Sequence, residues 1–396
     1  MKVLFLVTRF PAPPWRGDQV RAYHHLRLLA ARHRITCCAL VPRAPSPSAR
    51  AEIEAMGVRV EVVPLGLAGA VRALAPVVLG DRRPLQVLLF DRPHARRRVA
   101  SLIAQGGFDV VHAQLVRSAP YLPTRPPAVV DLIDALSASY TRRAGGARRL
   151  LAAAAAWEAG RLRRAEADLL RARVPCLVVS EAERTDLGGG PAVRVVPNGV
   201  DGAVFAYRED GRPAARLVFG GNLGYFPNVD AAVWLVHEIL PRVRGAVPEA
   251  ELRLVGARPA RAVRALVDAP GVSLAAAVPA MAPELAAATV AVVALRTGAG
   301  VQNKLLEAMA VGTPVVATPR ATHGLEVRPG EHVLVAEDAP GLAAAAVDLL
   351  RDPERARRMA RAARALVERR YRWEDSAAGV EAAWAAAAER APGGTA

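Results

Sequence analysis

The sequence predicts an α/β protein of two domains, each a parallel sheet covered by helices on both faces. Three observations predict it. The chain has 396 residues, 52% of them apolar, which exceeds the common size of one domain and suits two of roughly 200 residues each. Short β-branched runs alternate with segments of helical period along most of the chain, as strands buried on both faces alternate with crossover helices. Residues 289–318 read strand, glycine loop, helix, strand without interruption, a unit that places a ligand outside the carboxyl ends of a parallel sheet.

The first half opens with a strand at 1–7 (MKVLFLV), a proline-stiffened loop at 8–18 (TRFPAPPWRGD) and a helix over 19–32. Asp18 suits the N-cap of that helix, and Gly17 lets the backbone approach a ligand. Strands follow at 35–41, 58–63, 109–112 and 128–132, with helices at 48–56 and 93–104. His112 ends its strand on the ligand side, where a histidine is either structural or functional. Asp131 and Asp134 stand at the end of the next strand and either face a ligand or cap the following helix. Residues 142–173 are helical and basic, with Arg142, Arg143, Arg148, Arg149, Arg161, Arg163 and Arg164 forming either a solvated face or one turned to a membrane. After a strand at 176–179, Ser180 and Glu183 make a capping-box pattern. A strand at 193–196, a turn at 197–201 (PNGVD) and a polar linker at 202–214 end this half.

The second half begins with a strand at 216–219, the loop Gly220-Gly221-Asn222-Leu223-Gly224 and a helix over 228–243. Strands at 251–255 and 272–274 lead to the apolar run 289–295 (TVAVVAL), which Thr297-Gly298-Ala299-Gly300 breaks. Leu305, Leu306, Met309 and Ala310 then recur at helical spacing, Gly312 closes the helix, and 313–318 (TPVVAT) is the next strand. Lys304 stands in the first turn of this helix, and Glu307 follows on the same face. A strand at 333–335 and helices at 339–350, 353–369 and 373–388 complete the chain, and the residues after Pro392 read as a disordered tail.

Any βαβ unit needs a glycine turn and often carries a surface Lys and Glu, but composition singles this one out. The chain has 53 Lys and Arg, of which only Lys2 and Lys304 are lysines. An interior lysine in so arginine-rich a chain answers a need for a compact ammonium. The net charge of +16 is uneven: residues 1–200 hold 30 basic against 15 acidic residues, and residues 201–396 hold 23 against 22. A basic half suits nucleic acid, an anionic membrane or a phosphate-bearing substrate, unless arginine is simply inflated by base composition. Aromatic residues are 5% of the chain and no nucleic-acid reader motif is present, which disfavours nucleic acid. Three cysteines, two adjacent at Cys37 and Cys38, form neither a disulfide framework nor a metal pattern, as expected of the cytoplasm. The apolar start is too short for a signal peptide, and Arg72 interrupts the longest apolar stretch.

The pattern 298–318 (GAGVQNKLLEAMAVGTPVVAT) resembles the donor-site signature of glycosyltransferase family 4, retaining sugar-nucleotide transferases of GT-B fold. Its Gln302-Asn303-Lys304 variant is similar to members encoded with bacterial exopolysaccharide genes, and 197–201 resembles the family's hinge motif. The resemblance implies two Rossmann-like domains facing a central cleft: an acceptor domain at 1–196, a hinge at 197–214, a donor domain at 215–372, and a helix at 373–391 returning to the first domain before a tail at 392–396. It implies that Lys304 contacts the donor diphosphate and Glu307 the ribose hydroxyls, with Gly298, Ala299, Gly300, Val301, Asn303 and Leu305 around them. Pro13 to Gly17 matches the family's loop after the first strand, which sets Gly17 and Asp18 near the donor and Arg16, His112, Asp134 and Ser137 on the acceptor side.

Two departures stand out. The first of two family glutamates falls on Ala299, and Asn222, Pro227 and Asn228 stand about where a basic pair grips the diphosphate. Phosphate binding then shifts to Lys304, Arg296 and the loop amides, with Gly221 and Asn222 also on the donor side. The implied activity is metal-independent, cofactor-free transfer of a sugar from a nucleoside-diphosphate sugar to a polysaccharide or lipid-linked acceptor, with retention. Its expected setting is cell-envelope synthesis in the cytoplasm, on the inner face of the cytoplasmic membrane, with no nucleic acid involved. The departures keep open a silent sugar-nucleotide-binding subunit, and a sugar-nucleotide epimerase of the same architecture is the other alternative.

Overall fold

The structure, a computed structural model, describes residues 1–66, 80–145, 149–209, 215–298 and 300–390. Ala299, Arg148 and the tail 392–396 lie outside the described residues. The chain divides into two compact units, Met1–Pro197 with Trp373–Ala396, and Asn198–Arg372.

The first unit is built on a seven-stranded sheet of β1 (Lys2–Val7), β2 (Arg34–Val41), β3 (Arg59–Pro64), β4 (Val110–Gln114), β5 (Ala128–Ile133), β6 (Cys176–Val178) and β7 (Val193–Val195). The order is β3-β2-β1-β4-β5-β6-β7, with every pairing parallel. The central strands are apolar at nearly every position because helices cover both faces. Arg21, buried on the helix Gly17–Leu29, donates to Asp131 Oδ2 at 2.6 Å and to the Val196 carbonyl at 2.9 Å. The helix Trp373–Glu389 packs on Gly17–Leu29, burying Trp373 and Trp384. His24 stacks on Trp373 with ring centroids 4.5 Å apart.

Three sequence expectations change here. Asp18 lies inside its helix rather than at the N-cap, which is Arg16 in extended conformation. The long basic segment forms two helices, Leu136–Gly145 and Arg149–Arg171. Ser180 caps its helix by accepting from the Glu183 N–H at 3.3 Å, but the buried Glu183 carboxylate accepts from the Ala135 N–H at 2.6 Å.

The second unit contains β8 (Arg216–Gly220), β9 (Glu251–Gly256), β10 (Val272–Ala276), β11 (Val290–Val293), β12 (Val315–Ala317) and β13 (Leu334–Val335), ordered β10-β9-β8-β11-β12-β13 and parallel throughout. The expected helix over 228–243 runs as Phe226–Trp234, a π-helical turn Leu235–Ile239 and Leu240–Ala246. Pro241 opens the last segment, and a residue without an N–H cannot continue the regular ladder. Residues 198–209 lie on this unit: the Val200 N–H donates to Tyr371 O, Arg364 to Phe205 O, and Arg208 N to Val311 O.

Candidate donor site in the second unit

The strand order of the second unit reverses between β8 and β11, and both strands end in glycine-bearing loops there. Such a switch point opens a crevice at the carboxyl ends of the strands. The loop after β11 leads into the helix Asn303–Ala310, whose Leu305, Leu306, Met309 and Ala310 are buried in the core. That packing fixes the opposite side of the first two turns, where Lys304 and Glu307 stand half-buried.

Lys304 Nζ donates to Asn228 Oδ1 at 2.5 Å and lies 4.7 Å from the centre of the Phe219 ring. Asn228 is itself buried and donates through Nδ2 to the Asn222 carbonyl at 2.9 Å, tying the β8 loop to the lysine. Gly221, with φ of +144°, runs beneath this contact. The backbone angle requires glycine there, and an added Cβ would come 2.9 Å from Lys304 Nζ and displace the lysine tip. A cavity of about 40 Å³, room for a few waters, lies among Phe219, Gly220, Gly221, Met281, Lys304 and Glu307. Burial pushes the Lys304 ammonium down to about 7, against the pull of Glu307, and pushes the Glu307 carboxyl up to about 7, against the pull of Lys304. Each is held where its charge changes near neutrality.

The remaining donor-side candidates divide. Gly298 has φ of +135° and Gly300 φ of +69°, so this loop takes a path that favours glycine. Arg320 donates to the Gly298 carbonyl, and Gln302 Nε2 donates to Gly300 O at 3.1 Å. Asn303 accepts from Asn198 Nδ2 at 3.1 Å, and Val301 packs against the core. Leu305 is a core residue whose N–H bonds to Gln302 O, so it offers a ligand neither side chain nor amide. Asn222 Oδ1 accepts from the Gly224 N–H at 3.1 Å and shapes its own loop. Arg296 does not reach into the crevice as an unpaired cation: it forks onto Asp230 at 2.5 and 3.0 Å and lies over the Trp234 ring, 4.9 Å from its centre. Asp230, one helical turn from Trp234, diverts it.

In the first unit, Arg16 is exposed and Gly17 opens its helix, where an added Cβ would meet nothing within 4 Å. Asp18 is held by Arg9 at 2.6 Å. His112 is corrected from a ligand-side to a structural residue: it is buried, stacks on Phe5 at 4.2 Å and accepts from Trp384 Nε1 at 3.1 Å. Burial pushes its imidazolium down to about 4. Ser137 is likewise buried, with its N–H donating to Glu166 at 3.1 Å. Asp134 is half-buried, and burial followed by Glu183 pushes its carboxyl up to about 7. Sequence reasoning missed the parts played by Phe219, Asn228 and Arg320; only Asn228 left a signal, as an amide where a base was expected.

Residues 214–352 match the family model described as Glycosyl transferases group 1. Comparison with curated protein sequences finds no match. Among solved structures, the chain is similar to sucrose-phosphate synthase from Thermosynechococcus elongatus, at TM-score 0.70 and 16% identity over 97% of this chain and 98% of that one. It is similar to HepE of Anabaena in complex with UDP-glucose, at TM-score 0.69 and 16% identity over 98% and 100%. A third similar structure is WaaG, a glycosyltransferase involved in lipopolysaccharide biosynthesis, at TM-score 0.64 and 14% identity over 96% and 98%. At these identities the structures speak for the GT-B fold, and the family match speaks for the chemistry. Residues 214–352 thus match the group 1 glycosyl transferases, which supports a transferase, and the chain has the GT-B fold of the glycosyltransferase structures it resembles.

Proposed function

We propose that the protein transfers a sugar from a nucleoside-diphosphate sugar to a polysaccharide or lipid-linked acceptor, with retention at the anomeric carbon. The observation that carries this reading is the placement of Lys304 and Glu307 on one helix face beside the Gly221 backbone, at the switch point of the sheet. Lys304 serves the diphosphate and Glu307 the ribose hydroxyls. HepE, which shares the fold, binds UDP-glucose. In the reaction the bond from the anomeric carbon to the β-phosphate oxygen breaks, and a bond to the acceptor oxygen forms on the same face of the sugar. The acceptor's proton passes to an oxygen of the departing β-phosphate. Lys304 and loop amides stabilise the charge gathering on that leaving group, a task that calls on no metal.

The basic first half, with 30 basic against 15 acidic residues, sets the acceptor side against an anionic membrane, on its cytoplasmic face. No helix among the described residues is long and apolar enough to cross a membrane. The test is release of nucleoside diphosphate from a panel of nucleotide sugars, with and without crude lipid acceptors. Release from one donor, increased by acceptor, is expected. Binding without turnover would overturn the reading in favour of a silent subunit, and donor conversion without nucleotide release would favour an epimerase.

A further inference from the structure

In the first unit the helix Arg149–Arg171 buries Leu162 and Leu169 in the core, yet its first turns carry exposed apolar side chains. Leu150 is 87% exposed, Leu151 65% and Trp157 43%, whereas Glu158 on the same helix is buried. Leu150, Ala153, Ala154 and Trp157 follow the spacing of one helical face, and all four are exposed. The inward side is held by polar contacts: Glu158 accepts the Leu85 N–H at 3.0 Å and the Gln86 N–H at 3.2 Å, and Arg161 donates to Arg83 O at 2.8 Å. These bonds fix the rotation of the helix: turning the apolar stripe inward would carry Glu158 outward and leave the Leu85 and Gln86 N–H groups without their carboxylate acceptor.

The exposed charges of the helix beside the stripe are of one sign, while Asp81, paired to Arg83, faces Arg161 from the neighbouring segment. Arg161 lies over the Trp157 ring at 3.6 Å, and Arg163 and Arg164 are exposed one turn further on. The first exposed acid of the helix is Asp168. An apolar strip bordered by arginines, with no exposed carboxylate of its own helix before Asp168, matches a bilayer surface carrying anionic headgroups, with leucine and tryptophan entering the acyl boundary and guanidinium groups at phosphate level.

We infer that this helix docks the protein on an anionic bilayer through Leu150, Leu151 and Trp157. The inference rests on the proposal that the basic first half faces a membrane, and names the element that does so. The whole chain is sedimented with vesicles of phosphatidylglycerol and phosphatidylcholine in equal parts, and with phosphatidylcholine alone. The wild-type chain is expected to bind the former only, and brominated lipid to quench tryptophan emission. The triple variant Leu150→Ser, Leu151→Ser, Trp157→Ser, which alters exposed positions only, is expected to bind at least about tenfold more weakly with unchanged thermal unfolding. Equal binding by wild type and variant would overturn the helix assignment and leave the charge reading standing. A wild type that ignores anionic vesicles would overturn both. Self-association of the wild type without vesicles, lost in the variant, would assign the stripe to a second copy of this chain and overturn the inference.

Discussion

Lys304 Nζ lies 2.5 Å from Asn228 Oδ1, so the lysine of the candidate site is positioned by a neutral amide, not a carboxylate. The amide orients the ammonium without spending its charge, which stays available to a diphosphate. Asn228→Asp would bind that charge with an opposite one. Affinity for a nucleoside diphosphate should then fall at least about tenfold, the equivalent of one pK unit. Calorimetry on the folded variant checks this, and an unchanged affinity would mean that Lys304 leaves Asn228 when ligand binds.

Protonation should accompany binding, with a sign that depends on pH. At about pH 8 Lys304, held at about 7, is mostly neutral, and an arriving diphosphate raises its pKa, so protons are taken up. At about pH 6 Glu307, also held at about 7, is mostly protonated, and its ionisation against ribose hydroxyls releases protons. Titrations in buffers of different ionisation enthalpy should show the reversal. Lys304→Met should lose the uptake at the higher pH.

Glu307, proposed as the ribose ligand, should contribute to nucleotide affinity whichever sugar is attached. A hydrogen bond to a charged group is worth about 1.5 to 3 kcal/mol. Glu307→Ala should weaken binding of the free nucleoside diphosphate roughly tenfold or more. An unchanged calorimetric affinity would remove Glu307 from the site.

His112 carries a stability prediction. Its imidazolium is pushed down from 6.5 to about 4 by burial, so between those values the unfolded chain binds a proton that the folded chain refuses. Stability contributed by neutral His112 is present above pH 6.5 and lost as pH falls toward about 4, on the order of 3 kcal/mol in all. Urea unfolding at several pH values should show the decline, and His112→Gln should flatten part of it. The same slope in the variant would assign the decline to other groups, His25 foremost, since burial also lowers its pKa.

Much of the fold was legible because buried strands announce themselves as short β-branched runs: β1, β2, β8 and β11 each coincide with such a run. The helix Asn303–Ala310 was equally plain, since its core side is fully apolar. The short helices Leu85–Phe90 and Met281–Ala286 were not, having too few turns to establish a period. In the candidate site, composition singled out Lys304 and spacing set Glu307 on the same helix face, while the family resemblance supplied their expected roles. The pairing of Arg296 with Asp230, the use of His112 by Trp384 and the bond from Lys304 to Asn228 join residues 66, 272 and 76 positions apart. No local pattern encodes such contacts, and each decides whether a polar side chain remains available to a ligand.

The measurement that bears most directly on the account is steady-state turnover of the donor by Lys304→Ala. The donor's diphosphate is already anionic, but further negative charge gathers on its leaving oxygen as the glycosidic bond breaks, so the ammonium should act on the transition state more than on the bound donor. Loss of such a positioned donor costs on the order of 100- to 1000-fold in turnover. The catalytic constant should fall by that much with little change in the donor's Michaelis constant, and Lys304→Arg should restore activity only in part, because a planar guanidinium cannot occupy the same point. A folded Lys304→Ala variant that turns over donor at the wild-type rate would contradict the assignment of residues 296–318 as the catalytic centre.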